Sequence, residues 1–366
     1  SHSESAPIRL TSAQQAAAGT ASSQGRLSFR LKVGDRFPLI KRVSQTLKQA
    51  LPQGTVVNRS EVTLLMAITV EAEEAGRKRL GVRYQRVQYS HDIAGHKIQF
   101  DSTQPVQGDL PDMVKAYRGL VGNGFSFWLS ADNRILQVEG FDQFLQRCVQ
   151  DIAPQRRQQF LTALAITEED QGVANFVDDS IGLLPYDPDE NGETVVRVGQ
   201  SWTRERSLFN PIPMSVITQY TLTELTAREA TIDVIGRIVP TTVATYDPTT
   251  GQATGHRVII RGGHCVGQCT VDRATGLPLY SRVERFLDMV VRLDSGEEIP
   301  ETKSIVTTVQ AFPEQGRSVA SVEKSRSEQH ASDVVPAVAT QEAPGTRGRA
   351  VRPAQPLPRP SPGQHP

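Results

Sequence analysis

Seven histidines, three cysteines and a few clustered acids are the residues here whose types could do chemistry. Ser90-His91-Asp92-Ile93-Ala94-Gly95-His96 puts two imidazoles and a carboxylate within seven residues, a set able to ligate a metal. Ala94-Gly95 reads as a turn, however, and no third ligand follows at a suitable spacing, so a polar hairpin end is expected. Asp187-Pro188-Asp189-Glu190-Asn191-Gly192 starts like a calcium loop, with oxygen donors Asp187, Asp189 and Asn191 at the first, third and fifth positions and glycine at the sixth. The twelfth position is Val198 instead of glutamate, which leaves weak surface binding at most. Asp178-Asp179 offers paired carboxylates, but helical neighbours do not face one another, and both are expected toward solvent. Gly119-Leu120-Val121-Gly122-Asn123-Gly124 is glycine-rich. A phosphate loop needs a following helix, and Phe125-Ser126-Phe127-Trp128 reads as a strand, so a helix-to-strand turn is expected. No Gly-x-Ser-x-Gly elbow is present. These residues predict neither a catalytic constellation nor a cofactor.

The cysteines are Cys148, Cys265 and Cys269. His264 with Cys265 and Cys269 invites a zinc reading, but strand geometry turns His264 away from Cys265. Four strand residues also hold Cys265 and Cys269 roughly 13 Å apart, beyond the ~7 Å a disulfide spans. Any bridge must therefore include Cys148, to Cys265 or to Cys269; buried free thiols are the remaining option.

The elements that would position these groups follow from periodicity. The chain has 366 residues, 40 Lys+Arg against 40 Asp+Glu, and 38% hydrophobic residues. The balanced charge disfavours a nucleic-acid partner. No run of about 18 apolar residues exists, so no membrane-spanning helix is expected. Residues 1–25 are rich in Ser, Ala and Gln and are expected to be disordered. Residues 313–366 are expected to form a disordered tail, with eight prolines between Pro336 and Pro366. The chain starts at Ser1 rather than Met, as expected of a processed or trimmed product.

Between these ends a single domain over 26–312 is expected, with strands in 26–105, helices and a hairpin in 110–185, and strands again in 200–312. Leu27, Phe29, Leu31 and Val33 alternate with polar residues, as do Val62 to Val70 and Leu80 to Tyr89. Phe141, Phe144, Leu145, Cys148, Val149 and Ile152 form one helical stripe. Pro154 starts a second helix, Thr167-Glu168-Glu169-Asp170 caps a third, and Met113 to Leu120 supply a shorter one. The Asp272–Gly276 tip has glycine placed for a hairpin turn. Strand blocks flanking a helix block predict an α+β fold. The expected form is a large curved antiparallel half-barrel of about 11–12 strands, with about four helices packed on its concave face.

Four segments carry a likeness: Tyr84-Gln85-Arg86-Val87-Gln88-Tyr89-Ser90-His91-Asp92, Gly122-Asn123-Gly124-Phe125-Ser126-Phe127-Trp128-Leu129, Ala174-Asn175-Phe176-Val177-Asp178-Asp179-Ser180 and Cys269-Thr270-Val271-Asp272-Arg273-Ala274-Thr275-Gly276-Leu277-Pro278. The chain resembles, over about residues 27–312, an uncharacterised family of exported planctomycete proteins, a domain of unknown function. That resemblance implies an exported, periplasmic or envelope location and favours a Cys148–Cys269 disulfide. The strand-helix-strand order and the Asp-x-x-Thr-Gly hairpin more loosely resemble periplasmic lipoprotein carriers, which hold an apolar groove between an open half-barrel and helices. The function implied is non-enzymatic binding of a lipid or other apolar molecule, lined by Met66, Phe125, Phe127, Phe176 and Met289. The alternative is a structural or protein-interaction module of the envelope, tethered by the Pro-rich tail.

Overall fold

Alternation with period two runs well beyond the segments where the sequence advertises it. The computed structural model describes residues 23–93, 95–106, 108–163, 170–186, 194–208, 214–246, 253–313 and 317–318. All lie within one compact unit, residues 1–323; most of the expected Pro-rich tail lies outside the described residues. A short β1 (Gln24–Arg26) precedes three long strands, β2 (Asp35–Leu51), β3 (Gly54–Glu74) and β4 (Arg77–Ile93), and then β5 (His96–Asp101). Helix α1 (Asp112–Leu120) leads into the hairpin β6 (Gly124–Leu129) and β7 (Ile135–Glu139). Helices α2 (Phe141–Cys148), α3 (Pro154–Ala163) and α4 (Asp170–Ile181) follow. The second strand block is β8 (Val195–Arg197), β9 (Ser201–Leu208), β10 (Met214–Leu225), β11 (Glu229–Ile238), β12 (Thr241–Tyr246), β13 (Ala253–Asp272), β14 (Pro278–Arg292), β15 (Glu298–Ala311) and β16 (Arg317–Ser318).

Fourteen of these strands make one sheet, in the order β7-β6-β4-β3-β2-β15-β14-β13-β11-β10-β9, with β5 on β4, β12 on β13 and β16 on β2. Every pairing is antiparallel, as short connections require. The two strand blocks are halves of this one sheet, joined where β2 pairs with β15 in register from Leu39↔Ala311 to Gln49↔Glu301. Helix α4 packs against both β7 and β9, the two ends of the strand order, while α1 packs on β4 and α2 on β6.

Three expectations need correction. The alternating run at Leu27 to Val33 is extended chain outside the sheet. Leu27, Phe29 and Leu31 are buried, but the amides of Leu27 and Arg30 donate to Thr194 and Thr275 carbonyls instead of a strand ladder. Burial of one face, not pairing, produced that pattern. The expected disorder of residues 1–25 fails at Gln24 and Gly25, which with Arg26 pair with β8. The sheet has 14 strands where about 11–12 were expected: β2, whose alternation is broken by Pro38 and the charged Lys41 and Arg42, and the short β5, β12 and β16 are not announced by the sequence pattern.

The expected Asp272–Gly276 tip is present, and the β6–β7 hairpin also turns through a residue of positive φ. Asn133 takes φ 61° between β6 and β7, and Gly276 takes φ 79° between β13 and β14. Asp272 Oδ2 accepts from the Thr275 amide at 3.0 Å and its hydroxyl at 2.6 Å, closing the second turn. A Cβ on Gly276 would lie 2.2 Å from the Ser28 carbonyl oxygen, so only glycine lets the Leu27–Val33 segment cross here. The buried Tyr186 hydroxyl donates to the Gly276 carbonyl at 3.0 Å, tying the end of the helix block to the same turn. At the helix junction a Cβ on Gly119 would lie 2.3 Å from the Cys148 carbonyl oxygen, so this glycine permits close approach of α1 and α2.

Candidate functional site

A cavity of about 430 Å³ lies between the helices and the inner side chains of β2, β3 and β4. Helix α1 turns Met113, Ala116, Tyr117 and Leu120 toward it, the i, i+3, i+4, i+7 positions of one helical face. Helix α2 adds Phe144, Leu145 and Cys148, and α4 adds Phe176, Asp179 and Ser180 at the same spacing. From the sheet come Val43, Val62, Leu64 and Tyr84. Met113 is 47% exposed, so the cavity reaches the surface beside α1. Tyr117 lies 4.9 Å from Tyr89 between ring centroids, and burial pushes its hydroxyl up to about 12, a tendency Tyr89 reinforces. These walls therefore stay uncharged.

The other end is ionic. Lys41 on β2, 5% exposed, donates from Nζ to the Asp179 backbone carbonyl. Arg285 Nη2 on β14 lies 3.2 Å from Asp179 Oδ1, and Arg206 Nε on β9 lies 3.2 Å from Asp178 Oδ2. Arg204, two residues away on the same face, reaches Asp132 at 3.2 Å. Asp179 and Arg285 also line a side pocket of about 60 Å³ whose wall includes Arg206. The Arg206 Nη2 nitrogen is buried and has no partner among the described residues.

Burial pushes the Lys41 ammonium down, against the pull of Asp179. Burial raises Asp178, which Arg206 only partly offsets. For Asp179, burial pushes upward, but Lys41, Arg285 and Arg206 together hold it below the ordinary carboxylate range.

This cluster is what sequence reasoning missed: Asp178 and Asp179 turn inward and meet the buried Lys41 and the largely buried Arg206 and Arg285. A signal existed. Arg285 continues the period-two face of Ser281, Val283, Leu287 and Met289, and Lys41 continues that of Phe37 and Leu39. A charged residue on an apolar face needs an interior partner.

Of the five expected lining residues, only Phe176 is on the cavity wall. Met66, Phe125, Phe127 and Met289 are between 0% and 6% exposed and pack into the core instead. Phe125 stands behind the wall, its ring 5.0 Å from Phe144. Alternation placed them inward correctly, but inward on a sheet means packed core more often than cavity surface.

The cysteines form no disulfide, which corrects the expected Cys148–Cys269 bridge. All three are buried, each in a different apolar cluster: Cys148 with Phe141 and Phe144, Cys265 with Leu287 and Met289, Cys269 with Ile232 and Val271. Cys265 and Cys269 do share the inner face of β13 while His264 points outward and stacks on Phe286, 5.5 Å away. Burial pushes the Cys148 and Cys269 thiols up to about 12, so neither is a nucleophile near neutrality. Denatured without reductant, the chain is expected to alkylate at three thiols, read as three added labels by mass; one label, with two thiols lost to a bridge, is the opposing result.

Asp187, Asp189 and Asn191 lie outside the described residues. Among the described residues no three His, Cys, Asp or Glu side chains group to hold a metal. His91, Asp92 and His96 end the β4–β5 hairpin, where Asp92 Oδ1 accepts from the Gly95 amide at 2.9 Å and Tyr89 bonds His91 Nδ1 at 3.1 Å. The Gly119–Gly124 segment is the α1-to-β6 turn, organised by Asn123. Its amide donates to the Phe144 carbonyl at 3.0 Å, and its oxygen accepts from Arg147 at 2.7 Å. No helix among the described residues is long and apolar enough to cross a membrane.

Residues 75–278, more than half of the chain, match the model of a family of unknown function, DUF6263. No curated protein matches the sequence. Among solved structures, lipovitellin, solved in a study of its lipid–protein interactions, is similar at TM-score 0.42 and 12% identity over 78% of this chain. This chain spans only 26% of that one. An outer membrane channel from Pseudomonas putida gives TM-score 0.19 at 8% identity, covering 78% of this chain and 97% of the other. A DUF1329 family protein from Desulfovibrio piger gives 0.13 at 8% identity, covering 75% and 85%. Likenesses this low carry no argument about function.

Proposed function

We propose that this chain, which belongs to the DUF6263 family of unknown function, is a non-enzymatic exported protein that binds a lipid-like or other apolar molecule between its sheet and its helices. The cavity carries this reading. Its 430 Å³ falls within the ~300–1,000 Å³ of small-molecule sites, and most of its wall is aliphatic or aromatic, with the charged groups Lys41, Asp179 and Arg285 on one part of it and the neutral Gln45 and Ser60 on the sheet wall. A well-packed interior has few voids larger than a water molecule, so an interaction module held only by its core gives no reason for such a space. In this reading the sheet curls around the helices, which fill its concave side incompletely.

The test uses N-phenyl-1-naphthylamine, a neutral apolar fluorophore. The full-length chain is expected to bind it saturably with one-to-one stoichiometry and enhanced emission. Ala116→Trp puts an indole into the cavity from α1, and its affinity is expected to fall by about tenfold or more while its melting temperature stays near wild type. A linear, non-saturating signal from wild-type protein would sink the binding reading and leave the densely packed envelope module.

A further inference from the structure

We propose that the ligand is a single-chain amphiphile with a carboxylate head, its chain against α1 and α2 and its head in the ionic end formed by Lys41, Arg206 and Arg285. This rests on the cavity being a binding site and adds the chemical class of its occupant.

The first argument is charge. Four cations, Lys41, Arg204, Arg206 and Arg285, face three carboxylates, Asp132, Asp178 and Asp179, and none of the six in ion pairs is more than 27% exposed. Arg134, a further charged neighbour among the described residues, pairs with Asp132 from the surface at 55% exposure. With Lys41 protonated, one positive charge is in excess among the described residues, and an uncompensated buried charge is costly, so burial lowers the Lys41 ammonium while no anion is bound. A monoanion balances it; a dianionic phosphate would overshoot.

The second argument is the unmet donor. Arg206 Nη2 is buried without a partner, on the wall of a side pocket that shares Asp179 and Arg285 with the main cavity. That pocket's 60 Å³ suits a carboxylate-sized group. A water there would satisfy the hydrogen bond but leave the charge. Guanidinium to carboxylate is the stronger pairing.

The third argument is polarity along the cavity. Met113, Tyr117, Leu120 and Leu145, with the neutral Gln45 and Ser60 on the sheet wall, offer no charge to meet a second head. An occupant with one polar end and one apolar chain matches both halves.

The pairing has a linked consequence. Burial holds Lys41 down in the empty protein. A carboxylate seated in the ionic end favours the charged ammonium, so binding takes up protons.

The experiment compares decanoate, 1-decanol and decyl phosphate by calorimetry on the delipidated full-length chain. Decanoate is expected to bind about 10- to 100-fold more tightly than decanol, the range for hydrogen bonds to charged groups. Its heat should differ between two buffers of unlike ionisation enthalpy, showing proton uptake. In Lys41→Met the decanoate advantage is expected to shrink below about threefold; should that variant fail to fold, the wild-type comparison decides alone. Equal binding of decanoate and decanol would overturn the headgroup assignment and leave the cavity reading intact. Decyl phosphate outbinding decanoate would overturn the carboxylate in favour of a dianion. No binding by any of the three would overturn the cavity reading itself.

Discussion

Replacing Asp179 by leucine is expected to destabilise the protein by about 3–5 kcal/mol, the cost of removing one partner from a buried ion pair. Two groups lose their compensation at once. Arg285 Nη2 loses the carboxylate at 3.2 Å, and Lys41 loses the charge that favours its protonated form. Equilibrium urea unfolding would show the midpoint falling with little change in slope, and the melting temperature falling by on the order of 10 °C. Adding Lys41→Met should restore part of the loss, because it removes a cation that Asp179 no longer answers. A coupling of about 1 kcal/mol or more is expected for residues in one network. Strictly additive losses, or a cost below about 1 kcal/mol for Asp179→Leu alone, would mean that these groups are solvated and that no charge is stranded. The sign with pH is fixed. Asp179 is held below its ordinary range, so its stabilisation is full above an unfolded value of about 3.9 and is lost as pH falls toward the folded one. The gap between wild type and variant should therefore narrow below about pH 4.

That ionic end also shows where sequence reading reaches its limit. Local signals were legible. The Phe141, Phe144 and Cys148 stripe does face inward on α2, and the Asp272–Gly276 tip does make its turn. Hairpins and amphipathic helices are local objects, so a few adjacent residues specify them. The pairing of β2 with β15 is not local. Neither is the contact between Lys41 and Asp179, 138 residues apart, or that between Asp179 and Arg285, 106 apart. Lys41 and Arg285 stand out locally only as charges on apolar strand faces, and nothing nearby in the sequence names their partner. Only the sheet, by closing its first long strand against its last, makes them neighbours. The lining residues failed for a related reason. Met66 and Phe127 are as apolar as Leu120 and Leu145, and nothing in their own segments says which of them borders a void. That is decided by how closely α1 and α2 approach, which turns on Gly119 lying against the Cys148 backbone.

Phe144→Ala is the complementary prediction at the apolar end, with an expected cost of about 3–5 kcal/mol in urea unfolding. Phe144 is 3% exposed and sits where the core meets the cavity. Its ring stacks on Tyr84 at 5.7 Å and meets Phe125 edge-on at 5.0 Å, with Phe141 at 5.7 Å. Truncation removes those contacts and leaves Tyr84, whose hydroxyl burial already holds neutral, against empty space. The magnitude separates two pictures of the wall. Where the surrounding structure cannot collapse, the cost includes both lost transfer energy and the new void, and it falls at the upper end. Where α2 can settle into the cavity, the gap closes and the cost drops below about 2 kcal/mol. The first result describes a rigid container whose volume exists before any ligand arrives, held open by the aromatic cluster behind it. The second describes a soft helix layer that keeps its space only when filled, and the measured affinity for an apolar probe would then include the work of opening it.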